Sequence, residues 1–352
     1  MKILVLPGDG IGPEITEATL AVLDRANSKF KLGLEWQTME MGLVTLKKSG
    51  STLPESVMDA ARKAPGIILG PVDHLQYPAR EQGGINPSGE LRVKLDLFAN
   101  IRPAVSRMGV GLTGKPVDLV IFRECTEGFY ADRNMFSGRG EFMPTEDMAL
   151  AVRKVTARQC RRISEVAFQW ARKRRKKVTA VHKANVLHMS DGLFLREVRK
   201  VAQAYPDVEL DEKIVDAMAA LLVRDPSKFD CIVTGNMFGD ILSDEASEIS
   251  GSLGLAGSTM AGDDACCAQA QHGSAPDIAG QDKANPTSLL LSAAMLFDWL
   301  AERHKRPEFD QASKAIEAAI DASLKDAATR TPDLGGKLGT RAFGKHVAGR
   351  IG

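Results

Sequence analysis

Gly8-Asp9-Gly10-Ile11-Gly12-Pro13-Glu14 follows directly on the apolar run at residues 3–6. Three alternate glycines that end a strand and open a helix suggest a dinucleotide loop, with Glu35 downstream as a ribose-binding acid. The spacing is nevertheless G-x-G-x-G followed by proline, not G-x-G-x-x-G. Proline suits the first turn of a helix, where the N–H it lacks has no partner anyway. On its own the stretch reads equally well as a cofactor loop or as a tight strand-to-helix turn.

Outward from that turn, short apolar runs alternate with amphipathic stretches. Residues 3–6, 66–69, 119–122, 178–182 and 231–234 read as buried strands, and residues 14–26 and 146–172 as helices. That alternation predicts α/β layers. The 352 residues, 44% hydrophobic and 26% charged, suit a globular chain of two domains or one large α/β unit. A formal net charge of +1 supplies no global field for nucleic acid or an anionic membrane. The one charge run, residues 172–177, reads as a basic helix end facing its own dipole. Five cysteines without a C-x-x-C pair argue against a disulfide framework and for a reducing compartment. The opening residues read as a first buried strand rather than a signal peptide, and no apolar stretch is long enough to span a bilayer. A cytoplasmic location is expected.

Chemistry concentrates in a few segments. Arg92 and Arg102 bracket L-D-L-F-A-N, and Arg123 ends a strand before E-C-T-E-G-F-Y, which finishes at Tyr130. Arginine's planar fork holds carboxylates bidentately, so three of them suit a di- or tricarboxylate; the alternative is three unrelated surface salt bridges. After the strand at 231–234 and an expected turn at Gly235-Asn236, Asp240 and Asp244 in F-G-D-I-L-S-D-E-A-S share one helical face. Left bare they repel, whereas Mg²⁺ or Mn²⁺ would turn the repulsion into attraction; a solvated acidic face is the alternative. Asp216 points away from the apolar stripe Ile214, Ala217, Met218, Leu221 and Leu222, so it gains interest only if a second subunit covers it. Lys183, at the end of V-T-A-V-H, could serve in proton transfer or be a plain surface lysine. His272-Gly273-Ser274-Ala275-Pro276-Asp277-Ile278, with Asn285 beyond, makes a rigid turn over which a flat adenosine could lie. A carboxylate at Asp277 would accept from ribose hydroxyls and repel a 2′-phosphate, favouring NAD.

Taken in order, G-D-G-I-G-P-E, L-D-L-F-A-N-I-R-P, R-E-C-T-E-G-F-Y, K-A-N-V-L, V-D-A-M, T-G-N-M-F-G-D-I-L-S-D-E-A-S and H-G-S-A-P-D-I-A-G resemble the isocitrate/isopropylmalate dehydrogenase family. These are metal-dependent, β-decarboxylating 2-hydroxyacid dehydrogenases, and the likeness covers almost the whole chain. The resemblance implies an α/β fold that is not Rossmann. Residues 1–100 with 251–352 would form the first domain, and 101–250 a second domain with the dimer contact. The active site would lie in the interdomain cleft of a homodimer with shared sites. By position, Arg92, Arg102 and Arg123 would hold substrate carboxylates, and Tyr130 and Lys183 would handle protons, Lys183 from the neighbouring chain. Asp240, Asp244 and that neighbour's Asp216 would bind Mg²⁺ or Mn²⁺. His272, Gly273, Ser274, Ala275, Asp277, Ile278 and Asn285 would bind NAD.

Two departures from the family pattern bear on substrate. Isopropylmalate enzymes place leucines at the positions of Ser88 and Gly89, and a Ser-Gly pair offers little apolar contact. Isocitrate enzymes put serine and asparagine nearby, but Asn86 and Ser88 stand here in reversed order. Secondly, the glutamate usual three residues before the histidine of H-G-S/T-A-P is Gln269. The expected activity is NAD-dependent oxidative decarboxylation of a 3-substituted malate, closest overall to isopropylmalate. Isocitrate, homoisocitrate and tartrate/D-malate dehydrogenases are the alternatives within the family. A non-catalytic regulatory subunit is the alternative outside catalysis, although the proton-transfer and metal residues are all present.

Overall fold

A computed structural model describes residues 1–107, 111–130, 135, 138 and 140–351. The chain divides into two compact units, Met1–Leu91 with Leu253–Gly352, and Arg92–Ser252. The first unit opens with β1 (Lys2–Leu6), α1 (Gly12–Phe30), β2 (Glu35–Thr38), α2 (Leu43–Ser49), α3 (Glu55–Lys63), β3 (Gly66–Leu69) and α4 (Pro87–Lys94), within which the division falls. The second unit carries β4 (Ala99–Val105), β5 (Asp118–Glu124), β6 (Glu141–Thr145), β7 (Met148–Ala151), α5 (Ala157–Arg172), β8 (Lys177–His182) and α6 (Ser190–Ala202). It continues through β9 (Glu209–Ile214), α7 (Val215–Arg224), β10 (Cys231–Thr234) and α8 (Asn236–Ser250). The chain then returns to the first unit with β11 (Thr259–Ala261), β12 (Cys266–Gln269), α9 (Thr287–His304), α10 (Pro307–Lys325) and α11 (Thr340–Arg350).

In the first unit the strand order is β2-β1-β3-β12-β11, parallel except for β11. The continuous burial of β3 and of residues 3–6 explains why both read as unbroken apolar runs: parallel strands are covered on both faces. In the second unit the order is β4-β5-β10-β8-β9, with only β4 antiparallel. Arg102 stands opposite Ile121, and Arg123 lies two residues beyond Ile121 on the same strand. The two-residue period therefore puts both arginines on one sheet face as diagonal neighbours. Ile121 on that face packs in a core with Met218 and Leu222 of α7 and Leu242, Ala246 and Ile249 of α8. The face that buries α8 is thus the face that carries the arginines.

Two local expectations are corrected. The pattern at 146–172 is not one helix: residues 148–151 form β7, which pairs with β6, and α5 begins only at Ala157. Alternation of Met148 and Leu150 suits a strand, and the Thr156 side chain accepts from Gln159 N, which fixes the helix start. Likewise Asn236, expected in a turn, is the first residue of α8. The basic run is tied down by carboxylates. Arg174 reaches Asp118 and Asp230 at 2.7 Å each, Arg175 reaches Asp118 at 3.1 Å, and Arg172 reaches Asp207 at 2.7 Å.

The glycine motif has a structural answer. Gly8 and Gly10 adopt positive φ, +79° and +57°, and a Cβ on Gly10 would lie 2.0 Å from Ser274 O. Ile11 N donates to Ser274 O at 2.9 Å, Asp9 N to Pro71 O and Gly12 N to Asp9 O, both at 2.8 Å. The N–H groups of Asp9, Ile11 and Gly12 are therefore spent on the chain itself rather than offered to a phosphate. The stretch is a tight turn that seats the 272–278 loop.

Candidate active site

Arg123 is 2% exposed at the end of β5. Its Nε and Nη2 donate to Asn236 Oδ1 at 2.9 and 2.6 Å, and its Nη1 donates to Asp240 Oδ1. Arg102 donates from Nη1 to Ser243 Oγ at 2.7 Å and to Asp244 Oδ1 at 3.1 Å, and lies 3.2 Å from Asp240 Oδ1. These are not unrelated surface bridges: two buried guanidiniums converge on one α8 face. Glycine at 239 makes this possible, because a Cβ there would meet Arg123 Cβ and Cγ at 2.7 Å. Asn236 is in turn fixed by donating Nδ2 to Glu127 O at 2.7 Å.

The electrostatics follow from crowding. Burial, then the Arg92 and Arg102 guanidiniums, push Arg123 down to about 10. Burial likewise lowers Arg102, opposed by Asp240 and Asp244. Arg123 remains cationic at neutral pH. For Asp240 burial acts upward, but Arg123, Arg102 and Arg92 outweigh it and hold the carboxyl below its usual range. Arg92, on α4, thus belongs electrostatically to the same cluster. Tyr130 OH donates to Asp240 Oδ2 at 3.4 Å, and the Arg123 guanidinium stands 5.9 Å from the Tyr130 ring centroid. Guanidinium donors, a phenol and two hard-oxygen donors spaced i,i+4 are brought together, a donor set that suits a carboxylate-bearing ligand beside Mg²⁺ or Mn²⁺.

Lys183 and Asp216 form a second cluster. Lys183 Nζ and Asp216 Oδ1 lie 2.5 Å apart, with the Asp216 side chain 69% exposed at the start of α7. The hydrogen bond from Lys183 holds Asp216 below its ordinary value. Among the described residues no three His, Cys, Asp or Glu side chains converge to hold a metal within one chain. Asp216 is not joined to Asp240 and Asp244.

In the first unit, the loop from His272 sits on the glycine turn. Ser274 is buried, and Ala275 has the left-handed φ of +38° just before Pro276. Gly273 and Asp277 are exposed, and Ile278 is half-buried with its N–H on Ala275 O at 3.2 Å. His272 Nδ1 lies 2.9 Å from Gly273 O, while Nε2 is a buried polar atom without a partner; burial holds this ring below its usual pKa. That orphaned nitrogen and the exposed Asp277 carboxylate fit an adenosine-bearing cofactor. Asn285 is occupied on both sides, donating Nδ2 to Asp333 and accepting from Thr287 N, each at 3.0 Å. Ser88 is buried on α4 and donates Oγ to Gln269 Oε1 at 2.8 Å. Asn86 Oδ1 accepts from Gly89 N at 3.2 Å, which ties it to the start of α4.

Sequence reasoning missed Asn236, Gly239 and Ser243 as site residues. Their only signal is position, on α8 beside the two aspartates.

Comparison with known proteins supplies a family. The profile described as isocitrate/isopropylmalate dehydrogenase matches residues 2–347. The 3-isopropylmalate dehydrogenase of Saccharolobus solfataricus is 41% identical over 335 residues, covering 95% of each chain. The homoisocitrate dehydrogenase of Methanocaldococcus jannaschii is 39% identical, covering 100% of this chain and 98% of that one. The crystal structure of isocitrate dehydrogenase from Methylococcus capsulatus superposes with a TM-score of 0.87 at 37% identity, covering 99% of both chains.

Proposed function

Since this chain belongs to the isocitrate/isopropylmalate dehydrogenase family, we propose that it is an NAD-dependent, Mg²⁺- or Mn²⁺-dependent oxidative decarboxylase of a 3-substituted malate. The observation that carries this reading is the convergence of buried Arg102 and Arg123 on Asp240 and Asp244. When bound, the divalent ion would polarise the C2 oxygen and the nicotinamide would accept the hydride.

The chain's own residues do the rest. Arg92, Arg102 and Arg123 hold and orient the substrate carboxylates, since a guanidinium keeps its charge and presents a planar fork of donors. Asp240 and Asp244 supply metal-binding oxygens, completed by Asp216. Lys183 takes the C2 hydroxyl proton as hydride departs, and Tyr130 delivers a proton to C3 once the β-carboxylate has left as CO₂. Around the adenosine, His272, Gly273, Ser274, Ala275 and Ile278 form the seat and Asp277 meets the ribose, while Asn285 holds the seat through Asp333.

The enzyme works as a homodimer in which Lys183 and Asp216 serve the site of the neighbouring copy. Two features support this. Lys183 and Asp216 pair with each other rather than with the Asp240 cluster. Large apolar side chains flank both clusters in the open: Met189 is 88% exposed, Ile241 60% and Val186 61%. The exposed β6–β7 hairpin, with Phe142, Met143, Met148 and Leu150, offers further apolar surface for the same contact. No helix among the described residues is long and apolar enough to cross a membrane. All five cysteines are free and buried, in keeping with a cytoplasmic, reducing setting.

The test is NADH formation from a panel of 3-substituted malates with Mn²⁺. Turnover that a chelator abolishes and Mn²⁺ restores is the expected result. No oxidation of any member overturns the reading.

A further inference from the structure

Arg153 lies in the irregular segment between β7 and α5, yet its side chain is only 13% exposed. Its Nη2 stands 2.6 Å from Asp191 Oδ1, and its Nη1 donates to Ser190 Oγ at 2.7 Å. Asp191, in the first turn of α6 and buried, accepts from Lys183 N at 2.5 Å with its other oxygen. One carboxylate thus clamps both a guanidinium and the backbone of the lysine. The same guanidinium faces two rings. Its Cζ lies 5.7 Å from the Phe129 centroid and 5.5 Å from that of Phe238, within cation–π range. Phe129 immediately precedes Tyr130, and Phe238 lies on α8 two residues before Asp240. Backbone pairing reinforces the first contact: Gly128 N donates to Lys154 O at 2.8 Å, and Lys154 N to Gly128 O at 3.1 Å. The segments of Lys183, Tyr130 and Asp240 therefore meet at one arginine, all of them within the second unit.

We propose that Arg153 is a positioning residue, with Asp191 as its partner: together they lock the turn that presents Lys183 to the segments that present Tyr130 and Asp240. This rests on the dehydrogenase reading above. In the homodimer of that reading, one guanidinium joins the half-site a protomer keeps to the half-site it lends its neighbour. A planar fork suits the task. Lysine would meet Asp191 or Ser190 as a point charge, but it has no plane to lay against two rings. Proton transfer depends on such placement, because donor and acceptor must stand within hydrogen-bond reach.

Two variants test the tie from opposite ends. Asp191→Asn keeps an acceptor for Lys183 N but removes the ion pair, and Arg153→Lys keeps the charge but loses the fork. Arg153→Met alone would strand a buried carboxylate without its cation. Should either variant fold poorly, Arg153→Met combined with Asp191→Asn removes both charges at once and takes its place. The first readout is amide hydrogen exchange by mass spectrometry on the full chain without substrate. In Asp191→Asn the amides at 128–130, across the guanidinium from the substitution, should exchange at least about tenfold faster, while α9 in the first unit keeps its wild-type rates. Arg153→Lys should loosen 183–187 in the same way. The second readout is kinetic, with Mn²⁺, NAD and the acid the wild type oxidises best. In both variants kcat should fall at least about tenfold with KM within about twofold, and the solvent deuterium isotope effect on kcat should rise as proton transfer becomes limiting. A merely structural role would lower the active fraction and leave that isotope effect at its wild-type value. That result overturns the proposal, as does unchanged exchange at 128–130 in Asp191→Asn. If the wild type oxidised no acid in the panel, the dehydrogenase reading would fall, and exchange would still decide whether Arg153 ties the segments together.

Discussion

Gly239→Ala tests the tightest contact in the site. Its new Cβ would lie 2.7 Å from both Cβ and Cγ of Arg123, atoms near the strand backbone that cannot swing aside as the tip of a side chain can. Alanine improves a helix interior by about 1 kcal/mol, whereas overpacking a filled core costs about 1–3 kcal/mol. The net expectation is a loss of about 1 kcal/mol, or a Tm lower by about 2–4 °C for a unit of this size. The larger effect falls on activity. Arg123 must shift, loosening its two bonds to Asn236 and its pair with Asp240. A charged hydrogen bond is worth about 1.5–3 kcal/mol, so kcat/KM should drop about 10- to 100-fold. Gly192→Ala on α6 is the matched control, since a Cβ there meets nothing within 4 Å and should raise Tm. Thermal melts and kcat/KM with Mn²⁺ and NAD decide the matter. If Gly239→Ala melts higher, as the control should, and keeps its kcat/KM, the argument that Gly239 exists to seat Arg123 is refuted.

Three further outcomes are expected. Lys183→Met should keep the dimer by sedimentation yet lose most turnover; near-normal turnover would remove Lys183 from proton transfer. NAD should exceed NADP in kcat/KM by at least about tenfold, since Asp277 repels a 2′-phosphate, and an NADP preference would contradict that assignment. Asp298 on α9 accepts a hydrogen bond from Ser313, and burial pushes its carboxyl up to about 7 from an ordinary 3.8. The folded state then holds a proton that the unfolded chain has released, so stability falls as pH rises from about 4 to about 7. Asp298→Asn should flatten the Tm profile across that window, and parallel profiles would show that the group does not titrate there.

The short buried strands were legible because continuous apolar runs have few other uses, and the arginines and Asp240–Asp244 were legible because their chemistry is unusual for ordinary surface. The strand β7 was not, since M-A-L-A fits a helix until the partner strand β6 and the Thr156 cap are known. Asn236 was hidden because an asparagine before a helix is a commonplace cap or turn residue. Its bond to Arg123 depends on the β5–β10 register, in which Arg123 stands opposite Thr234. The Ser88–Gln269 bond is a tertiary contact that no local pattern encodes. The glycine motif was ambiguous in sequence because Ser274, the atom source that fills Gly10's missing side chain, arrives from the far end of the chain.

That last contact dictates an order of assembly during synthesis. The turn after β1 cannot close until Ser274 has left the ribosome, and β3 must wait for β12 before its second neighbour exists. By contrast, β5, β8, β9 and β10 find their strand partners within the stretch from Arg92 to Ser252, which emerges earlier. Nascent chains halted near residue 255 plus a tunnel's length should therefore protect the middle from protease while leaving the first ninety residues open to it.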